Sequence, residues 1–157
     1  MPQIDNQSMR GFIAQVEEAF PGEVLRIKEP VRTHLDMSSL VFELESMGKS
    51  PVVVFENVVG AKIPVVTNIA GNRKLLASAL GVTAAELPSA FRDRCTRYTS
   101  PEIVSRAGWQ DVTLEGDEVD LTKLPIPFHF EIDAAPYITA GQITARGEKP
   151  GTYWMLS

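Results

Sequence analysis

The two histidines of the chain, His34 and His129, lie far apart in sequence, and neither has a metal-ligand spacing such as HExxH. The strongest local candidate for chemistry is His129-Phe130-Glu131-Ile132-Asp133. On a strand, positions i, i+2 and i+4 share a face, so this run would gather an imidazole and two carboxylates within reach of a metal. The simpler reading makes it a polar rim on a connector after Pro127, with Phe130 and Ile132 turned inward. Arg92, Arg94 and Arg97 offer planar donor forks for a carboxylate or phosphate, although a solvated helix face pairing with Asp93 explains them as well. Cys95 stands among these arginines, which would favour its thiolate, but no His neighbours it. A single cysteine makes no internal disulfide, and a plain thiol points to a reducing compartment.

Other signatures are absent or bland. The acidic residues Asp111, Glu115, Asp117, Glu118 and Asp120 have the composition of a calcium loop without the EF-hand order, and read as a solvated turn. There is no GxGxxG, GxxxxGK[ST] or GxSxG, so the usual nucleotide cradles and the serine-hydrolase elbow are missing. With 15 Lys+Arg against 20 Asp+Glu the chain carries a formal charge of -5, which disfavours a nucleic-acid partner. No apolar run approaches a membrane span and the first residues form no signal peptide, so a cytoplasmic protein without a membrane partner is expected.

The elements that must carry these residues follow from periodicity. At 157 residues and 44% hydrophobic, the chain can build a substantial core without staples. Met9, Phe12, Ile13, Val16 and Phe20 share one helical face, with Asn6 or Ser8 as cap and Pro21-Gly22 as stop. Val24 to Ile27 reads as a strand. Asp36 is expected to cap a helix that presents Leu40, Val41, Leu44 and Met47 and closes at Gly48. The β-branched runs Val52-Val53-Val54-Phe55 and Ile63-Pro64-Val65-Val66 suit central strands buried on both faces. Asn72 caps a further helix ended by Gly81, and Thr83 with Glu86 forms a capping box for another.

Beyond this α/β (α+β) unit the signals thin. Val112 and Leu114, a turn at 115–118, then Val119 and Leu121 suggest a hairpin, and Leu124-Pro125-Ile126-Pro127 reads as a connector between domains. Alternation from Tyr137 through Thr139 to Ala145, and the composition of 152–157, begin a second set of strands. A strand pair of this size closes neither a barrel nor a sandwich, so the second unit is expected to be the opening of a domain, completed by further chain or by a partner. The division is therefore residues 1–124 and residues 125–157.

Whole phrases carry more than these spacings. Glu23-Val24-Leu25-Arg26-Ile27-Lys28-Glu29-Pro30-Val31, Pro51-Val52-Val53-Val54-Phe55-Glu56-Asn57-Val58 and Pro64-Val65-Val66-Thr67-Asn68-Ile69-Ala70-Gly71-Asn72 are followed by Asp117 to Pro127 and by Asp133-Ala134-Ala135-Pro136-Tyr137-Ile138-Thr139-Ala140-Gly141. In that order they resemble the N-terminal part of the UbiD-type decarboxylases over residues 8 to 146.

The resemblance implies a non-oxidative decarboxylase of aromatic or α,β-unsaturated carboxylic acids that uses prenylated FMN, with a divalent metal and potassium at the cofactor phosphate. It implies an N-terminal helix/sheet domain followed by the first strands of a split β-barrel flavin-binding domain, in chains far longer than this one. It puts the cofactor-side positions at Thr139, Tyr153, Trp154, Met155, Leu156 and Ser157; Tyr153 and Trp154 would stack on an isoalloxazine or fill the core beneath the strands. The family's catalytic Glu residues and its metal-binding His and Glu would lie beyond Ser157, so no catalytic or metal residue is assigned here. The family also pairs a metal-binding Asn with an Arg five positions later. Direct alignment places these at Lys149 and Trp154, and a shift of four places them at Tyr153 and beyond Ser157. In both registers the Asn is absent, since the last one in the chain is Asn72. The partners implied are a small carboxylic acid and either further copies of the chain or a decarboxylase subunit. The alternative is a short, non-catalytic relative that binds flavin or such a subunit and assists its assembly or cofactor maturation; a third reading is an interaction domain without a ligand.

Overall fold

A computed structural model describes residues 8–97, 104–138, 141, 143–149 and 153–156. Its first element, α1 (Met9–Ala19), starts where Ser8 accepts a hydrogen bond from the Gly11 amide at 3.0 Å, and it buries Ile13 and Val16. Gly22, at φ +88°, turns the chain into β1 (Val24–Ile27). A parallel partner, β2 (Val52–Phe55), is reached through α2 (Asp36–Ser46), which makes a β-α-β unit. The antiparallel β3 (Val65–Thr67) completes a sheet of order β1-β2-β3. The helices α3 (Arg73–Ala79) and α4 (Leu87–Cys95) follow.

β2 is the centre of the molecule, and all four of its residues are buried. Successive strand residues face opposite sides, so Val52 and Val54 join Ile13, Val16 and Leu75 in one cluster while Val53 and Phe55 join Met37 and Val58 in another. The continuous apolar run thus has the cause expected of a strand covered on both faces.

Several expectations need correction. The run at 63–66 supplies an edge strand rather than a central one: among the described residues β3 pairs only with β2, its residues are half-buried, and Ile63 is exposed. Pro64, without an N–H to give a ladder, suits that edge. Asp36 is the first helical residue of α2 and not its cap; the cap is Leu35, in the left-handed region at φ 66°. The Asp36 carboxylate is drawn instead to Arg32, accepting from its backbone amide at 3.2 Å and from Nε and Nη2 at 2.9 Å. Val41 and Met47 do not reach the core; the buried residues of α2 are Met37 and Ser38.

No hairpin forms over 112–121. Short 3-10 turns at Gly108–Asp111, Gly116–Glu118 and Leu121–Lys123 replace it, and Val112, Leu114, Val119 and Leu121 are exposed. Two alternating residues per arm bury too little to specify a strand, whereas Asp120 satisfies the Thr122 amide locally at 2.9 Å. In the second unit β4 (Ile143–Arg146) pairs antiparallel with β5 (Tyr153–Leu156). The expected alternation from residue 137 yields a strand only from Ile143 among the described residues, and Tyr137 and Ile138 are exposed outside it.

Candidate functional site

The chain after α4 returns to the first unit at one corner. Between β1 and α2, Val31 bridges to Val58 and His34 bridges to Phe128, and the chain turns at Leu35, where the Asp36 amide donates to the His34 carbonyl at 2.9 Å. The Phe128 amide donates to the Thr33 carbonyl at 2.9 Å, and the Leu35 amide donates to the Phe128 carbonyl at 3.0 Å. The His34 and Phe128 rings stack at a centroid distance of 4.8 Å. Beneath them the buried Ser38 hydroxyl lies 3.0 Å from the His129 carbonyl and 3.1 Å from that of Leu35. Residues 126–130 are therefore a strap seated on the start of α2.

The carboxylate trio does not assemble. Residues 131–132 form a turn, and the Asp133 carboxylate accepts from the Phe130 amide at 3.0 Å, which spends it on local backbone. Ile132 is 94% exposed, so it does not turn inward either. Among the described residues no group of His, Cys, Asp or Glu has the geometry to hold a metal ion. Arg94 is used structurally: its Nη2 donates at 2.7 Å to the Leu80 carbonyl at the end of α3. Cys95 is a free, exposed thiol.

The best-formed electrostatic group was missed by inspection of the sequence. Arg26 on β1 donates to both carboxylate oxygens of Glu17 at 2.8 Å and to Glu56 at 3.0 Å. These hydrogen bonds raise the guanidinium pKa above its ordinary value and lower that of Glu17. The signal available was only that α1, β1 and the residue after β2 supply Glu17, Arg26 and Glu56. This group borders a cleft of about 940 Å³ whose floor includes Ile13, Val54 and Val66. With its fork held by two carboxylates, Arg26 is not free to grip an acid ligand. The cleft at the strap, lined by Met37, Phe42, Pro127 and His129, measures about 160 Å³ and is below the size of common cofactor pockets.

Of the expected cofactor-side positions, Tyr153, Trp154, Met155 and Leu156 form β5, in register with Arg146, Ala145, Thr144 and Ile143. Thr139 and Ser157 lie outside the described residues. Among the described residues each outer edge of the β4–β5 pair lacks a strand partner, a template onto which further strands can add. No helix among the described residues is long and apolar enough to cross a membrane.

Comparison with known proteins bears on this arrangement directly. The 3-octaprenyl-4-hydroxybenzoate carboxy-lyase N-terminal domain matches residues 17–95, just over half of the chain, and the Rift-related domain of the same carboxy-lyase matches residues 102–155. Among solved structures, an evolved dimeric form of the UbiD-class enzyme HmfF from Pelotomaculum thermopropionicum, in complex with prFMN, is 29% identical with a TM-score of 0.80. The match covers 96% of this chain and 34% of that one. HmfF from the same organism in complex with FMN is also 29% identical, with a TM-score of 0.76 over 93% of this chain and 32% of that chain. This chain thus spans about a third of the length of the enzymes it matches, with its α/β sheet unit and its β4–β5 pair following one another as the two family domains do. The chain belongs to the UbiD carboxy-lyase family.

Proposed function

We propose that this chain is the N-terminal portion of a UbiD-like non-oxidative decarboxylase that acts on aromatic or α,β-unsaturated carboxylic acids with prenylated FMN. The observation that supports it most is the unbroken likeness, at a TM-score of 0.80 over 96% of the chain, to an enzyme solved with prFMN. In this reading residues 1–124 are a scaffold, and 125–157 lead into the flavin-binding split barrel with β5 on the cofactor side. Decarboxylation leaves an electron pair on the substrate carbon, and the flavin supplies the sink for it. The role of this chain is to bind and orient: the strap fixes where the connector leaves α2, and β4–β5 offers edges on which the barrel is built. The metal, the potassium and the proton donor come from outside the described residues.

The test uses the intact protein that carries this chain, produced with a source of prenylated FMN, and measures its absorbance and its release of carbon dioxide from a panel of aromatic and α,β-unsaturated acids. A flavin band together with carbon dioxide release is the expected result. Neither signal with any acid overturns the proposal. Flavin retained without turnover favours a non-catalytic relative that assists a decarboxylase partner.

A further inference from the structure

The chain enters α2 through one strained residue. Leu35 has φ 66° and ψ -27°, in the left-handed region that a bulky apolar residue seldom takes. The Asp36 amide donates to the His34 carbonyl at 2.9 Å and closes a three-residue turn around Leu35, of the rare and strained hand. Among the described residues the other non-glycine with positive φ is Asn68, a type that tolerates it. A conformation of this kind persists where its surroundings over-determine it.

The contacts of Leu35 fall into two groups. Toward the helix, its carbonyl accepts from the Ser39 amide at 2.9 Å, a first helical bond that survives whether residue 35 is left-handed or right-handed. Toward the strap, the Leu35 amide donates to the Phe128 carbonyl, the Phe128 amide donates to the Thr33 carbonyl, and the His34 ring stacks on Phe128. These three contacts need residues 33–35 to turn away from the helix axis, whereas a right-handed Leu35 would carry them along it. Arg32 and Asp36 hold the same turn from the solvent side, but Arg32 is exposed and such pairs contribute little. Val31 is bridged to Val58 independently. The strap is therefore the main reason that Leu35 stays left-handed.

We propose that residues 126–130 and Leu35 form a latch with two states. Seated, the strap holds Leu35 left-handed. Lifted, it releases Leu35 into the right-handed region, α2 gains a residue at its N-terminal end, and residues 32–34 move while Val31 stays bridged. The strain opposes the seat and so keeps it separable from the core, at the low-stability end from which moving elements are drawn. The chain beyond residue 130 leaves from the strap, so the state of the latch decides whether that departure is fixed or free. The inference concerns conformations of this chain alone and involves no catalytic residue, so its failure leaves the decarboxylase reading standing.

Substitutions at residue 35 separate backbone strain from side-chain packing. Glycine takes the left-handed conformation freely and is a poor helix former, while alanine is the reverse. Both remove the leucine side chain, so the comparison between them reports the backbone; if packing alone mattered, alanine would hold the strap at least as well. Hydrogen exchange is measured on the intact protein that carries this chain, by mass spectrometry of the segments that contain Phe128 and residues 52–55. The Phe128 segment should exchange at least about fivefold more slowly in Leu35→Gly than in Leu35→Ala, with the β2 segment alike in the two. Leu35→Asn, which also tolerates the left-handed region, should fall with the glycine variant, and Asn against Ala decides the matter if Leu35→Gly does not fold. Equal exchange in the paired variants, faster exchange in the glycine variant, or a difference of the same size in β2 overturns the proposal.

Discussion

Replacing Ser38 by Ala tests whether the strap is a distinct cooperative contact. The hydroxyl lies 3.0 Å from the His129 carbonyl and 3.1 Å from the Leu35 carbonyl, and the residue is only 7% exposed. A serine has one O–H, so it donates to one of these oxygens at a time and the substitution removes a single hydrogen bond. The net value of such a bond is about 0.5–1.5 kcal/mol, rising to roughly 3 kcal/mol where the abandoned carbonyl stays away from water. Because water can reach the strap once it lifts, the expected loss is about 1–2 kcal/mol, a factor of roughly 5 to 30 in the docking equilibrium. The remaining ties are the Phe128 amide to Thr33, the Leu35 amide to Phe128, the His34–Phe128 stack and the Phe42–Phe130 ring contact. They break together when the strap leaves.

Native-state hydrogen exchange reads this directly. In Ser38→Ala the amides of Leu35 and Phe128 should both exchange faster by that common factor, while the amides of Val54 and Phe55 in β2 keep their rates. Unchanged rates at Leu35 and Phe128 would show that the hydroxyl contributes nothing to seating the strap. An equal acceleration at all four amides would show that the strap melts only with the whole unit, and the idea of a separable seat would fall.

Truncating Phe55 to Ala should cost about 3–5 kcal/mol, because the side chain is fully buried between β2 and α2; thermal melting should fall by roughly 10 °C, and a shift under about 3 °C would contradict the packing. Acid should destabilise the fold: hydrogen bonds from Arg26 and Arg32 hold Glu17 and Asp36 below their ordinary values, so these groups stabilise above the usual carboxylate range and that contribution is lost as pH falls through their lowered values. Urea midpoints should therefore decline from about pH 6 to about pH 3, less steeply in Glu17→Gln, and identical slopes in the two proteins would count against the Arg26 clamp.

The first unit was legible because its signals are local and repeated. Ser8 and Asn72 each cap where expected, since the capping oxygen and the amide it serves are within a few residues of each other; Thr83 and Glu86 do bond to each other, but in the turn before α4, whose N-cap Glu86 makes no side-chain capping bond. The run Val52 to Phe55 announced a strand covered on both faces, and it is one. At Ile63 to Val66 the same composition misled, because a run of β-branched residues does not record whether a second neighbour exists; that depends on chain topology, with Pro64 as the one warning. The Asp36 misreading has a similar origin, since a good capping residue was also within reach of Arg32, and a charged fork outcompetes an amide.

The site was less legible for a different physical reason. The trio at His129, Glu131 and Asp133 required a strand, and a turn closed by two hydrogen bonds between Phe130 and Asp133 removed the condition on which their common face depended. Conversely, the strap is held by two main-chain bonds, two ring contacts and one hydroxyl between residues about ninety positions apart, and no period or spacing in the sequence reports isolated contacts at that range. What reached the sequence was the phrase itself: the residues around Pro125-Ile126-Pro127 lie in the stretch that matches the family, although nothing in their types reports the contacts they make. A connector seated by backbone bonds tolerates many side chains and fixes one direction, and direction is what a scaffold must deliver to the strands that follow it.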